Sequence, residues 1–146
     1  MSEITTRSLW LGPRFRGPAK RVVSLVPSLT HAIFELGAGD AVVGRTEFCV
    51  RPAAGVDGVE TVGGTKNPHV AHVLELEPDV VLANREENTR RRVERMAGRV
   101  PVLLTDIGGP GDAAGLWREL GEIVGRTREG DRRAREVEEE LERTLE

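Results

Sequence analysis

Apolar residues gather in four short runs: Arg21–Val26 (RVVSLV), Ala41–Gly44 (AVVG), Asp79–Ala83 (DVVLA) and 100–105 (VPVLLT). Runs of this length, rich in Val and Leu and bounded by turn residues, predict strands buried on both faces. Between them the apolar spacing becomes helical. Leu29, Ala32, Ile33 and Leu36 form one stripe, and Val70, Val73 and Leu74 a second. Val93, Met96 and Ala97 make a third, and Ala113, Leu116, Trp117, Leu120, Ile123 and Val124 a fourth. Ser28, Asn88 or Thr89, and Asp112 stand where N-caps belong. Gly37 and Gly125 stand where helices stop, and Pro78 breaks the second stripe. Residues 5–11 alternate loosely and predict a hairpin or edge strand. Residues 50–67 read as a loop.

Strand and helix alternate with short connections, which predicts an α/β fold: a single doubly wound lobe around a parallel sheet of about four strands. Ligands in such sheets meet the loops beyond the carboxyl ends of the strands. Those loops are Pro27–Thr30, Thr46–Arg51, Asn84–Asn88 and Asp106–Gly111, joined by the Gly63–Asn67 turn. The last segment differs. Ala134, Val137, Leu141 and Leu145 make a thin stripe on a highly charged helix, which predicts little burial within the lobe.

Composition narrows the function classes. The 146 residues suffice for one core, with 38% hydrophobic, 31% charged and only 3% aromatic residues, so the core rests on aliphatic side chains. The net charge of -3 and the lack of a dominant basic stripe argue against nucleic acid, and the arginine-rich run at 90–95 reads as a solvated helix face. One cysteine, Cys49, allows no internal disulfide and no thiolate cluster. No apolar run reaches the length of a membrane span. The N-terminal residues carry no signal-peptide core, so a cytoplasmic placement is expected.

The blocks "RVVSLVPSLTHAIFELGAGDAVVG", "VGGTKNP" and "LELEPDVVLANREEN" together resemble the N-terminal lobe of class III periplasmic-type solute-binding proteins, the cobalamin and iron-chelate receptors with a helical backbone. The resemblance implies an N-terminal extension over 1–20, the lobe over 21–126, and the start of an inter-lobe backbone helix over 127–146, with a second lobe to follow. It implies a small-molecule ligand, corrinoid or metal chelate, taken from the cleft between lobes, with no intrinsic cofactor, no resident metal and no enzymatic activity. Partners would be a second lobe, or a second copy through the 128–146 helix, with no membrane insertion. Four departures stand out. An export signal is absent, His31 replaces the usual capping-box Glu, Thr65 stands near a Trp of the cobalamin receptors, and Ala71 stands where transport receptors place a permease-docking Glu.

On the ligand-facing loops the candidate binding residues are Pro27, Ser28, Glu47, Phe48, Thr65, Lys66, Asn67, Arg85, Glu86 and Glu87. The Pro27-Ser28 turn aims a helix start at the cleft, suited to a carboxylate or amide oxygen, or merely capped by Ser28. No G-x-G-x-x-G is present for a nucleotide phosphate. Phe48 could lie on a planar macrocycle. Cys49 could approach a metal or serve as a small buried apolar residue. Arg85 could pair with a carboxylate, and Glu86 and Glu87 could accept hydrogen bonds, or all three could form a solvated loop. His69 and His72 have a metal-compatible i, i+3 spacing but no third ligand nearby. Ser24 and Ser28 have no nucleophile-base logic around them. Two functions remain: a solute-binding lobe, or a cytosolic metallo-cofactor binding or chaperone module no longer coupled to transport.

Overall fold

The computed structural model describes residues 8–85, 88, 90–106 and 110–145. One six-stranded sheet runs through it, in the order β1-β6-β5-β2-β3-β4. The strands are β1 (Leu9–Leu11), β2 (Val22–Ser24), β3 (Val42–Arg45), β4 (Glu60–Thr61), β5 (Val80–Asn84) and β6 (Val102–Thr105). All neighbours are parallel except β1, which pairs antiparallel with β6 as the edge strand that its alternation predicts. The four expected strands are all present, each within a few residues of its apolar run.

Consecutive strand residues serve opposite faces, and both faces are covered. Val22, Val80, Leu82 and Leu103 pack beneath helices α1 (Pro27–Glu35) and α5 (Pro110–Ile123), through Leu29, Ile33, Leu116 and Leu120. Val23, Val81, Ala83 and Val102 pack beneath α3 (Val70–Glu75) and α4 (Arg90–Ala97), through Val73, Val93 and Met96. Burying each such side chain contributes about 1.5–3 kcal/mol. This double cover is why β2, β5 and β6 read as near-continuous apolar runs.

Several local expectations need correction. The stretch 50–67 is not loop throughout: it holds a one-turn helix, α2 (Ala53–Val56), and the edge strand β4. Ser28 does not cap α1. Pro27 is its first residue, extended Val26 occupies the N-cap, and no side chain bonds the helix start. Asp112 lies inside the first turn of α5 rather than before it. Gly37 and Gly125 do follow the ends of α1 and α5 at positive φ.

The final helix, α6 (Thr127–Leu145), is held more firmly than its thin stripe predicts. It folds back along α5, where Gly121 and Gly130 bring the two backbones together and Ala134 is fully buried. Val137 and Leu141 are half-buried, while Leu145 is 80% exposed. Most of the stripe is therefore engaged within the lobe. Charges add to the contact. Arg118 on α5 bonds Asp131 at 3.1 Å and Glu138 at 2.8 Å. The bond from Arg118 holds the Glu138 carboxyl below its usual range. Arg133 pairs with Glu35 of α1 at 3.1 Å and lies 5.7 Å over the ring of Trp117.

Candidate functional site

The carboxyl ends of β2, β3, β4 and β5 open onto one edge of the sheet. The β2–α1 turn was expected to offer backbone N–H groups to an anion. It offers few. Pro27 has no N–H, and the N–H groups of Leu29 and Thr30 both donate to Val26 O, at 3.1 and 3.0 Å. Ser28 is exposed, and it borders a small apolar hollow with Leu29, Ala32, Leu116, Trp117 and Leu120 on the α1–α5 face. It does not join the other candidates.

The β3 end is built by a buried polar knot. Thr30 Oγ1 donates to Cys49 Sγ at 3.1 Å, Thr46 Oγ1 lies 3.2 Å from the same sulfur, and Arg45 Nη1 donates to Cys49 O at 3.0 Å. Cys49 is fully buried, so of its two readings the small buried residue holds, and it ties the β3 loop to α1. That knot pushes its neighbours outward. Phe48 and Val50 are 59% and 58% exposed, large apolar side chains on the rim with no cover in the lobe.

The β4–α3 loop completes a hollow of about 610 Å³, bordered by Glu47, Phe48, Gly63, Gly64, Thr65, Lys66, Asn67 and His69. Such a volume is within the range of small-molecule sites. Gly63 and Gly64 line it, Gly63 for a steric reason. A Cβ on Gly63 would stand 2.8 Å from Asn67 O and 3.1 Å from His69 Cδ2, whereas one on Gly64 would make only ordinary contacts, 3.7 Å from Glu47 Oε1 and from the Phe48 ring. The loop is anchored at its ends, where Glu47 N donates to Gly63 O at 3.0 Å and Arg92 Nη1 to Pro68 O at 3.2 Å.

Five of the ten candidate residues thus meet in one place: Glu47, Phe48, Thr65, Lys66 and Asn67. Arg85 is apart, at the end of β5, half-exposed with its guanidinium 3.9 Å from Asp106. It borders a separate hollow with Leu9, Leu11, Asn88, Arg90 and Val93. Glu86 and Glu87 lie outside the described residues, as does Thr89.

Two residues outside the ten candidates matter here. His69 borders the hollow, exposed, with no side-chain partner among the described residues. Its i, i+3 neighbour His72 is drawn away to Glu60 at 3.4 Å, so the two do not act as a pair. Among the described residues no group of three or more His, Cys, Asp or Glu could hold a metal. Asn88, read as a helix cap, instead turns its side chain inward against this loop. From the sequence, His69 had been weighed only as half of a metal pair with His72, and Asn88 only as a helix cap shared with Thr89. His31 bonds Glu35 one turn on, at 3.1 Å.

A second hollow, about 490 Å³, lies between Trp10, Phe15, Arg14, Arg16, Glu119 and Glu122 at the opposite edge of the sheet. Ligands of open parallel sheets bind at the carboxyl edge, which favours the first hollow.

Several known proteins that this chain resembles are named as binding proteins. The chain is 26% identical over 125 residues to the vitamin B12-binding protein of Vibrio parahaemolyticus, covering 85% of this chain and 45% of that one. Its structure superposes on the periplasmic vitamin B12-binding protein BtuF of Vibrio cholerae with a TM-score of 0.78 at 21% identity, over 86% of this chain and 49% of that one. A periplasmic heme-binding protein from Pseudomonas aeruginosa gives 0.77 at 21% identity, over 87% and 46%. The chain therefore spans about half the length of the proteins it matches. Their periplasmic setting lends no support to the cytoplasmic placement expected from the N-terminal residues. No helix among the described residues is long and apolar enough to cross a membrane. Residues 22–145 match the periplasmic binding protein family, and the chain belongs to that family.

Proposed function

We propose that this lobe forms one wall of a site for a corrinoid or other metal-chelate ligand, carried as cargo rather than as a resident cofactor. The observation that carries the reading is the glycine-lined hollow at the ends of β3 and β4, with Phe48 and Val50 exposed beside it. An uncovered aromatic ring on a rim suits the flat face of a macrocycle. Arg85, at the turn that follows β5, suits a peripheral carboxylate or amide oxygen of a ligand large enough to reach both. Thr65, Lys66 and Asn67 supply polar contacts at one end, with Glu86 and Glu87 at the other on the sequence reading. Pro27 and Ser28 contribute contact surface more than hydrogen bonds. The relatives named above bind vitamin B12 and heme, which supports this ligand class. In the full protein α6 would continue as the helix that joins this wall to a second lobe.

His69 is the group best suited to face the metal, because a neutral imidazole is the commonest biological metal ligand. Titration with ferric heme tests this. The wild-type chain is expected to give an imidazole-type shift of the heme absorption band, and His69→Ala to bind without that shift. Identical spectra for the two would remove His69 from this role.

Ala71 favours a second reading, in which the protein no longer serves an importer. Ala71 is exposed on α3, and its neighbours His69 and His72 are not acidic. Charged pairs at an interface set encounter rate and register. On this reading Ala71→Glu increases ligand uptake by a permease-containing membrane. Full uptake with Ala71 in place contradicts it.

A further inference from the structure

Asn88 is only 6% exposed, and its side chain is fully used. Its Oδ1 accepts from the N–H of Asn84 at 2.7 Å. Its Nδ2 donates to Leu25 O at 3.2 Å and to Thr65 O at 2.6 Å. These three backbone groups belong to different segments. Asn84 ends β5, Leu25 follows β2, and Thr65 is the middle of the β4–α3 loop. One amide therefore spans the wall from its β5 side to its hollow.

We propose that Asn88 is the positioning residue of this wall: it fastens the middle of the Gly63–Asn67 loop to the ends of β2 and β5, so that the hollow exists before any ligand arrives. The chemistry requires asparagine. The position needs one acceptor and two donors on a short stem. Aspartate has the shape, but its carboxylate brings no donor to the two carbonyls. Leucine has the bulk and no polar atom. Glutamine is a methylene too long for a site this enclosed. The ends of the loop are tied elsewhere, at Gly63 O and Pro68 O. At its middle, Thr65 O takes the 2.6 Å bond from Asn88. A loop ordered in advance spares the ligand the cost of ordering it, so loss of Asn88 acts on binding through loop freedom, with no contact to ligand needed. The binding half of this inference rests on the proposed ligand site, while the loop half does not.

The experiment compares wild type, Asn88→Leu and Asn88→Asp without ligand and then with cyanocobalamin or ferric heme as probe. Backbone ¹⁵N relaxation is read at Gly64–Asn67 and, for reference, at Val81, Leu82 and Leu103. With the Thr65 carbonyl released, the loop order parameters are expected to fall from about 0.85 to below about 0.6 in both variants. The reference amides are expected to keep their wild-type values in a variant that keeps its fold. Affinity for the probe falls about tenfold. Asn88→Asp, equal in shape, serves if the leucine variant does not fold. Unchanged loop order parameters overturn the proposal, and so does a fall spread equally over loop and sheet, which marks plain destabilisation. A loosened loop in a protein whose wild type binds neither probe supports the positioning role and refutes the ligand reading instead.

Discussion

Replacing Gly130 with valine is expected to weaken the whole lobe, not merely to fray its last helix. A Cβ at Gly130 would stand 2.6 Å from Trp117 O and 3.1 Å from Gly121 Cα. Neither is the end of a flexible side chain, so α6 must shift away from α5. Overpacking of this kind costs about 1–3 kcal/mol and sometimes more. The shift would also pull Ala134 from its buried place and lengthen the bonds from Arg118 to Asp131 and Glu138. Valine recovers a few tenths of a kcal/mol in helix propensity, far too little to compensate. A net loss near 3 kcal/mol is a large share of the roughly 5–15 kcal/mol that holds a domain together. Thermal melting is expected to fall by about 10 °C or more. Glu139→Val on the exposed side of α6 serves as control and is expected to stay within about 0.5 kcal/mol of wild type. Equal melting of the two variants would mean that α6 is not packed on α5 in solution.

The second large effect falls on the site itself. Gly63 has φ 100°, and a Cβ there would lie 2.8 Å from Asn67 O. Gly63→Val faces both obstacles: a conformation that costs an L-residue about 1–2 kcal/mol, and a collision with backbone across a tight loop. The loop is expected to open, taking Thr65 off Asn88 and His69 off the border of the hollow. We expect a loss of about 2–3 kcal/mol in stability, the range of mutations that strain a special backbone position. Affinity for cyanocobalamin is expected to fall more than tenfold, since each 1.4 kcal/mol is a factor of ten. Calorimetry and thermal melting read the two effects separately. A variant that keeps both values would show that this loop is neither tight nor part of the site.

These glycines also mark where sequence reasoning ends. The strands β2, β5 and β6 were legible because their residues are buried on both faces, which leaves an unbroken apolar run. β4 was not, since Glu60 and Thr61 are both exposed, and what makes them a strand is pairing with β3. The caps fell elsewhere for a related reason. Ser28 has the right chemistry, but Pro27 begins α1, and proline suits the first helical position without any side-chain cap, while Asp112 fell inside the first turn of α5. In α6 the apolar stripe was read at its true width, yet the contact with α5 is made by Gly121 and Gly130, which carry no hydropathy signal. The candidate site divided similarly. Residues on loops after neighbouring strands, Phe48 and Thr65 among them, came together because topology alone brings those loops to one edge. Arg85 fell beside a different hollow because β2 lies between β5 and β3, and no strand order is written in a single chain. Asn88 was misread because its three partners lie on segments distant in sequence.

The most direct test of the proposed ligand wall is a chemical-shift titration of the isotopically labelled chain with cyanocobalamin. One wall buries roughly half of what two walls bury while ordering costs remain, so binding is expected to be weak, on the order of tens of micromolar or weaker. Shifts are expected at Phe48, Val50, Gly63–Asn67, His69 and Arg85, with no change around Trp10 and Phe15. Shifts centred on the Trp10–Phe15 hollow, or none at millimolar ligand, would contradict the proposed wall.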